Sequence, residues 1–221
     1  MSGAEFDRLL SWAQSQGVVL DGVHPAYTPE GWRGILATAD LPADHVVLSV
    51  PEHLLMSTRS AARDPELSAV LQRHPRLSDR QVLMLHLLHE ASKGESSFWA
   101  AYIQQLPRAY TLLEGLADEQ VQQLQVPFAS AQAQQSAARL QSEWEGLRGV
   151  LEELFHTDVK WRGLKAWTWA SGTISSRTMC EDPQVLSSRG RSGLPRRYSC
   201  GPRALQTLLL PTSPPACARP D

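Results

Sequence analysis

The sequence predicts an α+β chain: a few short strands near the N-terminus, then a mainly helical stretch, then a tail without regular structure. Three observations carry this. Two extended apolar segments fall within residues 34–50, apolar residues recur at helical spacing between residues 78 and 176, and the composition breaks past Met179. The 221 residues allow one domain or one domain plus a tail, and 42% hydrophobic residues are enough to bury a core. We divide the chain into a folded part, residues 1–180, and a tail, residues 181–221, expected to be disordered.

Taken in order, Phe6, Leu9, Leu10 and Ala13 predict a helix over residues 4–16, with Gly17 as its stop. Gly34–Thr38 and His45–Val50 read as strands. The turn chemistry of Asp40-Leu41-Pro42-Ala43-Asp44 between them predicts an antiparallel hairpin or near neighbours in one small sheet. Ser78 and Asp79 cap a helix over Arg80–Lys93. Shorter helices are expected over Ser97–Gln105 and Asp118–Leu124. A long one should cover Ala129–His156, where Leu140, Trp144, Leu147, Leu151 and Leu154 form one stripe. A last helix is expected over Val159–Ser176. Residues 181–221 hold six arginines, no lysine and dense Pro, Ser and Gly, and Pro211, Pro214 and Pro215 forbid a regular element there.

The formal net charge of -2 and a pI near 6.4 give no bulk electrostatic reason for a nucleic-acid or anionic-membrane partner. Only Lys93, Lys160 and Lys165 are lysines, which reads as a coding bias towards arginine. The arginines at 189, 191, 196, 197 and 203 lack aromatic interleaving and read as a solvated tail. Cys180, Cys200 and Cys217 fit neither a CxxC clip nor a disulfide framework, pointing to a reducing compartment. The first residues are acidic where a leader would be basic, and no apolar run approaches the roughly 20 residues of a span. The expectation is a soluble intracellular protein of cytoplasm or nucleus.

Several constellations favour structure over chemistry. His86 and His89 lie three apart, but without a third ligand they read as packed or surface histidines, and no metal is expected. Trp161, Trp167 and Trp169 read as core in preference to a binding cage. No serine stands in a Gly-x-Ser-x-Gly setting.

The most informative stretch is Tyr27-Thr28-Pro29-Glu30-Gly31-Trp32-Arg33-Gly34-Ile35-Leu36-Ala37-Thr38. Glycines bracketing Trp32 and Arg33 allow close backbone approach to a ligand, and Arg33 could meet a carboxylate. A tight turn with an exposed arginine explains the same residues. The stretch resembles the opening motif of SET-domain methyltransferases, although Trp32 stands where that family usually has a small residue. Val46–Leu55 is similar to the next strand and turn of the branch containing the Rubisco large-subunit methyltransferase. Ser97-Phe98-Trp99-Ala100-Ala101-Tyr102-Ile103-Gln104-Gln105-Leu106-Pro107 resembles that branch's Ser-x-Trp-x-x-Tyr signature, and Trp167–Met179, with Ser175-Ser176-Arg177, its helix before the catalytic half.

The resemblance implies N-terminal SET strands plus a helical insert, with S-adenosyl-L-methionine as cofactor and a protein with a target lysine as substrate. Glu30, Gly31, Trp32 and Arg33 would form one cofactor wall, Ser176 would contribute to the other, and Arg177 would face the substrate cleft. The lysine amine must be neutral to attack, against an ordinary pKa of about 10.4, so the family's channel has to desolvate it. The family's catalytic Asn-His pair has no counterpart, because the sequence contains no asparagine. Tyr198, the only tyrosine after Tyr110, stands in an unrelated context. No catalytic residue is therefore assigned, and a truncated, inactive form is expected. The alternative is a non-catalytic helical interaction module using the Leu140–Leu154 stripe.

Overall fold

The computed structural model describes residues 3–27, 33–180 and 205–207, with the backbone alone for 3–5, 27, 33, 179, 180 and 205–207. Helix α1 (Gly3–Ser15) ends as the sequence expects, with Gly17 at φ 92°. Two small antiparallel sheets follow. β1 (Val19–Leu20) pairs with β4 (Leu48–Ser49), and β2 (Val23–Tyr27) pairs with β3 (Arg33–Ala37) in the register Val23↔Ala37 to Tyr27↔Arg33. The two expected strands are therefore present but are not each other's partners. The Asp40–Asp44 turn exists, with Asp44 at φ 62°, yet it leads across from one sheet to the other. Strand β2 was not foreseen because Pro25 argues against an interior strand. In a two-stranded sheet it has an open edge that tolerates the missing N–H. Gly22 holds the crossing together: at φ 64° it accepts the Thr38 N–H, and a Cβ there would lie 2.4 Å from Leu41.

Strand β5 (Met56–Ser57) opens the helical part, followed by α2 (Thr58–Ala61), α3 (Pro65–Arg73), α4 (Asp79–Ser92), α5 (Ala100–Ile103), α6 (Asp118–Gln122), α7 (Pro127–Gly146), α8 (Arg148–Leu154) and α9 (Leu164–Arg177). Helix α4 begins in a capping box: the Ser78 hydroxyl accepts the Gln81 N–H at 3.3 Å, and the Gln81 carbonyl accepts the Ser78 N–H at 2.9 Å. Every residue from Leu83 to Ala91 is buried, so α4 is the central helix, covered all round. Helix α3 went unforeseen, though Asp64 caps it through Leu67 N–H at 2.9 Å and Pro65 stands at its first position.

The long expected helix is two. Gly146 ends α7 and Leu147 (φ -104°, ψ 4°) turns the chain into α8. The stripe survives the break, with Leu140, Leu147, Leu151 and Leu154 buried in the core beside half-buried Trp144. Helix α9 starts five residues later than expected, after a turn in which Asp158 accepts the Lys160 N–H. Trp167 is fully buried, with Trp161 and Trp169 packed against the core edge. At its end α9 runs into β6 (Thr178–Cys180). Strand β7 (Leu205–Thr207) lies between β5 and β6, antiparallel to both. These three residues fall in the segment expected to lack regular structure. Their partners are more than 20 residues away in sequence, where no local pattern shows them. The remainder of the 181–221 expectation lies outside the described residues.

Candidate functional site

Of the sequence-derived site residues, Glu30, Gly31 and Trp32 lie outside the described residues, in the connection between β2 and β3. Arg33 opens β3 opposite Tyr27, and its backbone alone is described. Ser176 and Arg177 fall in the last turn of α9, next to β6. They share a turn but not an environment. Ser176 is exposed, whereas Arg177 is buried at 6% exposure.

The burial of Arg177 follows from a cradle that spacing did not reveal. Its Nη1 donates to the Tyr110 hydroxyl at 2.9 Å and to Ser176 Oγ at 2.7 Å. Its guanidinium carbon stands 5.3 Å from the centre of the Tyr110 ring. Ser176 Oγ donates back to the Gly172 carbonyl at 2.7 Å, so its hydrogen is already engaged within the helix. The Tyr110 and Thr173 hydroxyls lie 3.1 Å apart. Tyr102 is also buried, and that burial pushes its phenol up even though the Arg177 charge pulls the other way, so it is neutral. Tyr102 stands in the Ser-x-Trp-x-x-Tyr stretch but is not among the expected site residues, and neither is Tyr110. Tyr110 is 67 residues from Arg177, and nothing in the local pattern joins them.

The electrostatics single out Arg177. Among the described residues no carboxylate pairs with it, although every other strongly buried charge has a partner. The carbonyl-rich C-terminus of α9 and the Tyr110 and Ser176 oxygens offset part of the cost of burying it, and a carboxylate would offset more. The arrangement fits an anionic ligand group arriving from outside.

A second polar cluster has the opposite character. Asp64, His89 and Glu90 bring ligand-type atoms within 4.8 Å of one another. Lys93 Nζ already fills the cation position, 2.6 Å from Asp64 and 2.5 Å from Glu90, and Ser97 holds the other Glu90 oxygen at 2.6 Å. Burial pushes the Asp64 carboxyl up, but the Leu67 N–H and the Lys93 ammonium outweigh it and hold the pKa at about 2. His86 stands apart from this cluster, edge-on to Trp99 with ring centres 5.2 Å apart. The cluster is an internal ion-pair network tying α3 to α4. A separate apolar cleft, bounded by Phe6, Leu9, Val18, Ile35, Leu48 and Val50, lies between α1 and the two small sheets.

No family model matches the chain. It is 41% identical over 150 residues to Protein SET DOMAIN GROUP 40 of Arabidopsis thaliana, covering 67% of this chain and 30% of that protein. It is 29% identical over 180 residues to SET domain-containing protein 4 of Mus musculus, covering 80% and 41% respectively. Actin-histidine N-methyltransferase of Gallus gallus is 33% identical over 120 residues, 54% of this chain and 20% of that one. Among solved structures, Rubisco LSMT bound to AdoMet superposes with a TM-score of 0.71 at 22% identity, covering 95% of this chain and 43% of that chain. The SET domain of LSMT bound to lysine and AdoHcy gives 0.68 at 24% identity, covering 80% and 40%. The chain thus spans less than half the length of the relatives it matches.

Proposed function

The chain is a SET-domain protein by sequence and by fold, and from that premise we propose that it is the cofactor-side part of an S-adenosylmethionine-dependent protein N-methyltransferase. The observation that carries the reading is Arg177, a buried guanidinium with no carboxylate partner among the described residues, on the helix where the resemblance puts a cleft wall. S-adenosylmethionine bears both a carboxylate that such a group can receive and a methyl on a sulfonium that makes it the donor. Glu30, Gly31, Trp32 and Arg33 would hold it from one side and Ser176 from the other. Arg177 would stand where the cofactor and substrate clefts meet.

The acceptor we propose is a lysine of a protein substrate. The actin-histidine relative keeps an imidazole acceptor as the competing case. Both need a nitrogen with a free lone pair held in line with the transferred methyl, and the gain is one of orientation and desolvation. The sequence contains no asparagine, so these residues alone do not supply the Asn-His pair of the family. We propose that this chain binds cofactor without completing methyl transfer. The alternative of a partner-binding helical face loses support, because the Leu140–Leu154 stripe is in the core.

Titration calorimetry of the purified chain with S-adenosylmethionine tests the reading. Saturable binding, weakened by Arg177→Gln and by Trp32→Asp, is the expected result. A cooperatively melting chain that binds no cofactor overturns it. A methyl-transfer assay with radiolabelled cofactor and lysine-rich protein is expected to give no product above background.

A further inference from the structure

We propose that Tyr110 is a positioning residue for Arg177, fixing the guanidinium so that the edge with no partner among the described residues is presented to an anionic ligand group. This rests on the cofactor-cleft reading above. Guanidinium carries five N–H donors in a rigid fork. Both of its hydrogen bonds among the described residues leave from Nη1, to Tyr110 and Ser176, while Nε and Nη2 have none. One corner is thus anchored, and among the described residues nothing holds the other edge.

Tyr110 supplies two restraints from one side chain. Its hydroxyl accepts from Nη1 at 2.9 Å, and its ring lies under the guanidinium at 5.3 Å. A long arginine loses much rotamer freedom when it captures a ligand, and a side chain already held in place has less to lose. Thr173, one turn before Arg177, keeps the Tyr110 hydroxyl in position at 3.1 Å. The close approach depends on Gly172: a Cβ there would lie 2.6 Å from Tyr110 Cδ2 and 2.7 Å from Cγ. The absent side chain on α9 is what lets the ring lie against the helix beside Arg177.

The test uses the full chain and S-adenosylhomocysteine as probe. Tyr110→Phe keeps the ring and removes the hydroxyl. It should weaken binding by about tenfold, the usual scale for a charge-assisted hydrogen bond, and lower the melting temperature by about 2–4 °C. In an Arg177→Gln background the same substitution should change affinity no further. Equal affinity of Tyr110→Phe and wild type, or an undiminished loss in the Arg177→Gln background, overturns the proposal. Should the wild-type chain bind no probe, the cofactor reading falls and nitrogen-15 NMR of the arginine side chains decides the clamp. Hindered guanidinium rotation of Arg177 that is released in Tyr110→Phe supports it. Identical spectra overturn it.

Discussion

Tyr110 and Gly172 are in contact of a kind that permits no side chain at position 172: the phenol ring occupies the space a Cβ would need, 2.6 Å from Cδ2. The loop after α5 and the helix that carries Ser176 and Arg177 are therefore locked together at one point, and the chemistry of the candidate site depends on a residue with no chemistry of its own.

Gly172→Ala is accordingly expected to destabilise the chain. Alanine favours a helix interior over glycine by about 1 kcal/mol, but the clash is with a ring backed by Arg177 and Thr173, where overpacking costs about 1–3 kcal/mol. The net expectation is a loss of about 1 kcal/mol in urea unfolding, with weakened cofactor binding as the ring is pushed off Arg177. A variant more stable than wild type would show that the ring is free to move.

His86 gives a pH dependence. It is 1% exposed, and burial, assisted by the His89 and Lys93 charges and opposed by Glu90 and Asp64, lowers its pKa from 6.5 to about 4. The folded state resists a proton that the unfolded chain accepts. Stability from this group is full above about pH 6.5, declines as pH falls towards about 4, and is level below that. The interval corresponds to about 3 kcal/mol. Urea unfolding at stepped pH should show the decline in wild type and its loss in His86→Leu. Asp64, lowered to about 2, acts in the more acid window below its ordinary value, so the two effects are separable.

Local chemistry made some of this legible. The Ser78 cap and the Gly17 stop are each decided by a few adjacent residues, and α4 and α1 fell close to where the sequence put them. Strand pairing is decided by distant segments. The extended apolar runs at residues 34–38 and 45–50, with turn residues between them, found two strands and could not say that Val23–Tyr27 and Val19–Leu20 are their partners. The candidate site divides the same way. Ser176 and Arg177 stood out through a family motif, but their opposite burial comes from where α9 turns them, and Tyr110 is joined to them only by the fold.

Ser78→Ala tests the local side of that argument. It removes the hydroxyl that accepts the Gln81 N–H and leaves the core of α4 untouched. The expected loss is about 1 kcal/mol, the ordinary worth of a cap, seen as a lower urea midpoint at unchanged slope.

Lys93 tests the distant side. Its ammonium, 29% exposed, bridges Asp64 on the α3 cap and Glu90 within α4, whose carboxylate is 4% exposed. Both carboxylates also keep other donors: Asp64 accepts the Leu67 N–H, and Glu90 accepts the Ser97 hydroxyl. Lys93→Met removes the cation and leaves two like charges facing each other with the Glu90 charge in a dry environment. Breaking a fully buried pair costs about 3–5 kcal/mol, and the partial exposure of Lys93 reduces this to about 2 kcal/mol. Because the penalty comes from stranding Glu90, the double variant Lys93→Met with Glu90→Gln should recover most of it. Recovery in the double variant, measured by urea unfolding in a complete cycle, separates an electrostatic network from simple packing of the lysine stem. Packing would leave the two losses additive.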